Sequence, residues 1–410
     1  MVRRQVAAVA ACVLSLVLAC SGCGLTSGGH QAAGPSGTPA SSRTLRSTPS
    51  QAAPSPQATK PLSCPARVFS RMTAAQRVGQ LFLVGLADTP RSEVARVVAA
   101  YHFGSLLFGT TSTASLAEVS QVTAADQSLA SSAATARVRF FIGADQEGGE
   151  VQRLRGPGFA AIPSAVSQGE LAPAVLHREA AGWGRELKRA GVNLDLAPVM
   201  DVVPPGTAPR NQPIGALRRE FGTDPDTVAS HGVAFLRGMR QAGVAATAKH
   251  FPGLGRVAGN TDLTAGVTDP VTAPGDPYLG SFRAAIGAGV PFVMVALARY
   301  PRIDRHHLAV FSPRVMRLLR TKMRFGGVII SDDMGAAAAV AGISAAARAT
   351  AFLAAGGDMI TSVSLTAAAV MYKAVLTRMN HDRAFRSQAD SAVMRVLTAK
   401  RAYGLLPCAA

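Results

Sequence analysis

From Cys64 onward the chain alternates short apolar runs with longer amphipathic stretches. Eight runs read as strands: Gln80–Gly85, Ser105–Gly109, Arg139–Asp145, the inner part of Gly191–Asp201, Val244–His250, Pro291–Leu297, Gly327–Asp332 and Asp358–Ser362. Most are apolar at nearly every position, as strands buried on both faces require. Helical patterns lie between them, among them Glu93–Tyr101, Leu176–Ala190, Asp226–Ala242, Pro313–Met323 and Ala345–Ala355. Three helical stretches close on Ala-Gly just before the next strand, at Ala190-Gly191, Ala242-Gly243 and Ala288-Gly289. Glycine is the usual residue for such a helix end. Eight repeats of strand and helix predict an α/β fold, a (β/α)8 barrel in one domain over residues 64–408. An open doubly wound sheet is the runner-up, but no glycine-rich dinucleotide fingerprint follows the first strand.

Polar residues gather where a barrel of this kind performs chemistry. Asp145 closes the third run, Asp201 the fourth, Lys249-His250 the fifth and Ser331-Asp332-Asp333 the seventh. Reactive side chains in this fold come from the C-terminal ends of several strands. An apolar strand has no structural need to finish on two adjacent carboxylates. Asp332 is therefore expected to point into the barrel mouth, with Asp333 left to cap the next helix. Lys249-His250-Phe251-Pro252-Gly253 sets a cation beside an imidazole. Asp145-Gln146-Glu147-Gly148-Gly149 pairs carboxylates with glycines, which allow close backbone approach to a ligand, and Arg153 lies just beyond. Glu147 and Arg153 fit an internal ion pair as well as a ligand contact. Arg219, in Arg218-Arg219-Glu220-Phe221-Gly222, is open to the same two readings.

The N-terminus bears on where the chain works. Arg3 and Arg4 precede an apolar run, Val6 to Leu18, that is shorter than a spanning helix needs. The run ends in Val17-Leu18-Ala19-Cys20, which resembles a bacterial lipobox. Residues 1–20 are expected to be a signal peptide and Cys20 the lipidated residue, with Cys23 as the alternative site. An ordinary cleaved signal is the other reading. Residues 21–63 are mostly Gly, Ser, Thr, Pro and Ala and are expected to be a disordered tether. The chain is thus expected to be exported and held by lipid at the outer face of the cell membrane, or secreted.

Charge and cysteine usage add two points. Residues up to Ser63 hold five basic and no acidic side chains, which leaves 37 basic against 24 acidic in the remainder. No nucleic-acid motif accompanies that excess, so no nucleic-acid partner is expected. Anionic wall polymer or lipid headgroups are the expected counter-charge, with an arginine-rich composition bias as the bland alternative. Of the five cysteines, Cys12, Cys20 and Cys23 belong to the signal region, while Cys64 and Cys408 bracket the barrel. Outside the cytoplasm such a pair invites a disulfide, and the ends of a closed barrel meet at its seam. No metal-ligand spacing occurs among the eight His and five Cys, so no metal or organic cofactor is expected.

The ordered set of segments resembles glycoside hydrolase family 3, in its single-domain, β-N-acetylglucosaminidase-like branch. The matching segments are Met72-Thr73 through Gln80-Leu81-Phe82, Asp145 to Gly149, Asn193 to Val202 (Asn-Leu-Asp-Leu-Ala-Pro-Val-Met-Asp-Val), Arg219 to Gly222, Lys249 to Gly253, Ser331 to Met334 and Ala355 to Met359. They span about 340 residues from Pro65. The resemblance implies a retaining exo-β-glycosidase acting on amino-sugar glycan of the cell wall, and the chain is expected to be a monomer. It assigns Asp332 as nucleophile. Asp145, Arg219, Lys249 and His250 would bind the sugar, and Asp201 would be a supporting carboxylate.

The chain departs from that branch just after Lys249–Gly253. The family signature continues with His-Gly, four residues, then Asp-Ser/Thr-His, whose final His is the acid/base. Here Leu254 replaces the first His, Asn260 the Asp, and Asp262 the catalytic His, at preserved length. Leu297 stands where a His is common, and Glu150 where an Arg is common. In one reading Asp262 supplies the acid/base, since retaining glycosidases commonly pair two carboxyl groups about 5–5.5 Å apart. In the other the proton shuttle is lost and a glycan-binding lipoprotein remains. A β-glucosidase or glycosyl phosphorylase on the same barrel is a third possibility.

Overall fold

The structure is a computed structural model that describes residues 62–408. The signal peptide, Cys20, Cys23 and all but the last residues of the tether lie outside the described residues. Eight parallel strands close into a barrel: β1 (Phe82–Gly85), β2 (Ser105–Leu107), β3 (Phe141–Ala144), β4 (Leu194–Asp195), β5 (Ala245–Phe251), β6 (Phe292–Val295), β7 (Val328–Asp333) and β8 (Met359–Ser362). Neighbours in space are neighbours in sequence. The seam is β1 on β8, with Phe82 opposite Ile360 and Val84 opposite Ser362.

Alternation along the strands divides the core in two. Leu83, Leu107, Phe141, Leu194, Ala245, Phe292, Val328, Ile330 and Met359 point inward and fill the barrel. Phe141 and Phe292 meet edge to face, ring centroids 5.3 Å apart. Burying such a side chain contributes about 2–3 kcal/mol each. The intervening residues, such as Phe82, Ile142, Ala246 and Val293, face outward against the surrounding helices.

Three of the helix-to-strand turns show how the sequence sets this geometry. Helices Pro173–Arg189, Pro225–Gln241 and Gly280–Gly287 are followed by Gly191, Gly243 and Gly289 with φ of 79°, 75° and 80°. A side chain there would be strained, so glycine is required. In each turn the glycine N–H and that of the next valine reach back into the last helical turn. For example, Gly191 donates to Lys188 O at 3.1 Å and Val192 to Leu187 O at 2.9 Å. Those bonds define the Schellman closure. Val192, Val244 and Val290 are buried and lead straight into β4, β5 and β6.

The fourth strand occupies the inner part of its apolar run. Leu194–Asp195 is the regular part of the ladder; beyond it Pro198 has no N–H to donate, although Ala197 O and Pro198 O still accept the N–H groups of Thr247 (2.8 Å) and Lys249 (3.2 Å). A bridge from Val199 to Lys249 and a bond from Met200 N–H to Lys249 O, 2.6 Å, keep Asp201 beside β5. The helix expected over Pro313–Met323 is α-helical for Pro313–Arg317 and then widens to a π turn over Leu318–Lys322.

Helix Arg383–Ala402 closes the N-terminal end of the barrel, and its Val396 joins the interior cluster together with Leu405. Lys400 on this helix is fully buried. Its Nζ donates to Gln80 Oε1 (2.7 Å), Gly104 O (2.6 Å) and Arg139 O (3.0 Å), at the entries of β1, β2 and β3. Burial pulls its pKa well below the usual lysine value. The three oxygens match the three N–H donors of the charged form and oppose that fall. Nearby, Cys64 and Cys408 are joined in a disulfide that ties helix Cys64–Arg71 to the chain's end.

Candidate active site

The opposite end of the barrel is open. A cavity of about 250 Å³ lies there, walled by Asp145, Arg153, Lys249, His250, Asp262 and Asp332, with Leu107, Leu196 and Met294 beneath. Sequence positions from 107 to 363 are thus brought to one place by the strand ends.

Lys249 is the centre of the charge network. Its side chain is 2 % exposed, and Nζ lies 2.6 Å from both Asp145 Oδ1 and Glu147 Oε1. Arg219 grips Glu147 from the other side through two parallel bonds, Nε to Oε2 at 2.8 Å and Nη2 to Oε1 at 2.7 Å. Burial alone would raise the Glu147 carboxyl, but Arg219 and Lys249 outweigh it and hold the group at about 2. Burial likewise works against the Lys249 charge, and Asp145 and Glu147 more than restore it. Arg219 does not line the cavity. Its third nitrogen, Nη1, donates to Pro213 O at 2.7 Å, so the guanidinium is committed to holding Glu147 behind the Asp145–Lys249 pair. Arg153 does line the cavity, 4.0 Å from Asp145 Oδ2.

His250 is oriented by Asp201. Nδ1 lies 2.7 Å from Asp201 Oδ2, and Asp201 Oδ1 accepts the N–H groups of His250 (3.2 Å) and Leu254 (2.8 Å). A proton on Nδ1 directed at the carboxylate leaves Nε2 as the other functional nitrogen of the ring. Asp201 is fully buried and does not line the cavity. Leu254, in place of the signature histidine, is buried below the turn.

Asp332 stands half-buried on the rim and accepts the N–H of Asp333 at 2.8 Å. Burial pushes its carboxyl up to about 6; His250 opposes that rise and Asp262 adds to it. Asp333 has another role. Its two oxygens accept the N–H groups of Gly335, Val363 and Ala336, which fixes the turn after β7.

Asp262 reaches this site from a long loop. The base of the loop is braced: Tyr300 donates to Gly253 O, Asn211 donates to Leu254 O and Val257 O, and Arg256 bonds Asp276 at 2.5 Å while lying over the Tyr278 ring. The tip is exposed, with Leu263 79 % accessible. Asn260 Oδ1 takes the N–H of Asp262, and the carbonyls of Thr261 and Asp262 accept from Ala339 and Ala338. The tip therefore leans on the segment after Asp332 and Asp333, which brings the two carboxylates to one cavity.

The Glycosyl hydrolase family 3 N terminal domain matches residues 73–399 of this chain. The chain belongs to glycosyl hydrolase family 3. A family relative, the beta-hexosaminidase LpqI of Mycobacterium tuberculosis, is 32% identical over 417 residues, covering 96% of each chain. The solved β-N-acetylhexosaminidase from Beutenbergia cavernae matches with a TM-score of 0.79 and 44% identity, over 80% of this chain and 99% of that one. A family 3 β-N-acetylglucosaminidase from a Paenibacillus species matches with a TM-score of 0.74 and 29% identity, over 83% of this chain and 64% of that one.

Within this family 3 barrel, sequence reasoning passed over Asp195 at the end of β4. It is fully buried, with Oδ1 accepting the Gln146 N–H and Oδ2 without a partner. Burial pushes its carboxyl up to about 8, so it keeps its proton at neutral pH. A lone Asp between two inward leucines gave no signal of this, because its one partner comes from the small hairpin, Gln146–Gly148 with Val151–Gln152, that follows β3.

Proposed function

We propose that this family 3 enzyme is a retaining exo-β-N-acetylhexosaminidase acting on amino sugars released from the cell wall. Asp332 attacks the anomeric carbon and forms a glycosyl ester as the leaving group departs. Asp262 gives its proton to the leaving oxygen, then takes one from the water that cleaves the ester. Lys249, Asp145 and His250 hold the hydroxyls of the sugar, and Arg219 acts through Glu147 by fixing Lys249. Lipidation of Cys20 holds the enzyme at the outer face of the membrane.

The observation that carries this reading is that Asp332 and Asp262 wall one cavity with the Asp145–Lys249 pair. An aspartate can do the work of the absent histidine because a carboxyl group can give and take a proton, as in the carboxyl pairs of other retaining glycosidases. The test is release of p-nitrophenol from its β-N-acetylglucosaminide by wild type and by Asp332→Asn. Turnover that collapses in the variant supports the proposal. A wild type that binds the sugar but turns over no β-glycoside would replace it with the glycan-binding reading.

A further inference from the structure

We propose that the closed end of the barrel is a basic docking face for an anionic lipid bilayer, which holds the enzyme with its mouth turned away from the membrane. This rests on the lipid-anchor part of the proposed function and gives a role to the surplus of 37 basic over 24 acidic residues.

The charge is sorted by the fold. Barrel helices start near the mouth and end at the floor. Cations are favoured at helix C-termini and anions at N-termini. Glu93, Glu118 and Asp226 occupy first turns. Lys188, Arg189, Arg240, Arg320, Lys322, Arg378 and His381 occupy last turns. Arg137, Arg139 and Arg324 add to them in the turns that enter β3 and β7. Arg137, Arg139, Lys188, Arg189, Arg240 and Arg324 are all exposed. The described turns at this end hold few acids. Asp358 is buried between Arg320 and Arg395, Asp382 is paired with Arg378, and Glu186 accepts the Ala160 N–H.

The attachment lies at the same end. Cys64 is bonded to Cys408, and Leu405, three residues before it, accepts the Arg139 N–H at the entry of β3. A lipidated Cys20 would be joined to this floor by little more than 40 residues. Linkage of that length sets an effective concentration on the order of millimolar, so weak contacts suffice. Each basic side chain near an anionic surface adds to the attraction, and salt removes it. A bilayer fits better than a soluble wall polymer because it is the one anionic surface fixed at the root of the tether.

The test uses the chain from residue 20 onward with Cys20→Ser, so that no acyl chain contributes. Its binding is measured to phosphatidylcholine vesicles with and without roughly one third phosphatidylglycerol, in low and molar salt. Two triple variants are compared: Arg137→Glu, Arg139→Glu, Arg189→Glu at the floor, and Arg210→Glu, Arg302→Glu, Arg305→Glu at the mouth end. Hydrolysis of a soluble substrate confirms that each is folded. Binding only to anionic vesicles, lost in salt and weakened at least tenfold by the floor triple but less than twofold by the mouth triple, is expected. Equal loss in both triples, or no binding by the parent chain, overturns the proposal. So does a soluble polyanion that the floor binds more tightly than it binds vesicles. Acylation of Cys20 in the wild type is read separately by mass spectrometry, so failure of the anchor and failure of the face are distinguishable.

Discussion

Each end of the barrel buries a lysine, and the two are treated differently. At the floor, Lys400 meets three neutral oxygens, one for each N–H, and no carboxylate. At the mouth, Lys249 meets two carboxylates, one of which is also held by Arg219. The floor lysine joins the entries of three strands to the last helix. The mouth lysine gathers acidic groups that would otherwise repel one another, and beside them Asp332 is left with a raised pKa and a single backbone donor. The contrast teaches which end was shaped for stability and which for chemistry. Each N–H of Lys400 meets an oxygen and the bonds tie three strand entries to the last helix, whereas the raised carboxyl of Asp332 lines an open cavity beside a charged pair, the pattern of a functional site.

The two ends should respond differently to substitution. The largest effect is expected at the mouth, where Asp332→Asn should lower kcat/KM roughly a thousandfold or more with the fold retained. At the floor, Lys400→Met should leave the Gln80, Gly104 and Arg139 oxygens unpaired and cost about 3 kcal/mol, read as a lower midpoint in urea. Its kcat/KM, measured well below the transition, should stay within a few-fold of wild type. A large loss of activity without a loss of stability would remove the distinction between the ends. Asp262→Ala should slow a substrate with a poor leaving group roughly a hundredfold, and an activated aryl glycoside much less, since only the former needs the proton.

The pH dependence sharpens the comparison within the mouth itself. Glu147 is held at about 2, below its ordinary 4.5, so its ion pairs stabilise the fold above that range and are lost as pH falls from about 4.5 toward 2. Asp332 has the opposite sign. Its folded value, about 6, exceeds the ordinary 3.8, so the native state binds the proton more tightly. Stability is gained as pH falls from 6 toward 4 and lost as it rises through 6. Asp332→Asn should therefore be more stable than wild type at pH 7, by at most about 3 kcal/mol, and the difference should vanish near pH 4. Activity should also fall about tenfold per pH unit below about 6, as the nucleophile is protonated.

Much of the fold was legible because its signals are local. Continuous apolar runs marked the strands, and Ala-Gly marked three helix ends. The fourth strand lies in the inner part of its apolar run, and its regular ladder is short because Pro198 has no N–H to donate. Asp145, Lys249, His250 and Asp332 could be placed at the mouth from their strand-end positions alone. The pairing of Arg219 with Glu147 could not, because it joins two loops 72 residues apart. Lys400 carried a faint signal: it falls in register with Val393, Val396 and Leu397, the buried face of its helix. A lysine on an apolar stripe requires oxygen partners, and only the closed barrel supplies them.

The proposed mechanism depends most on Asp332 forming a bond to the sugar. The direct measurement is to incubate the enzyme with a fluorinated N-acetylglucosaminyl fluoride that forms the glycosyl ester quickly and releases it slowly. Mass spectrometry of the peptides then locates the label. A single sugar on the peptide that contains Asp332, absent in Asp332→Asn, is the predicted result. A label on another carboxylate, or full turnover of the reagent by Asp332→Asn, would contradict it.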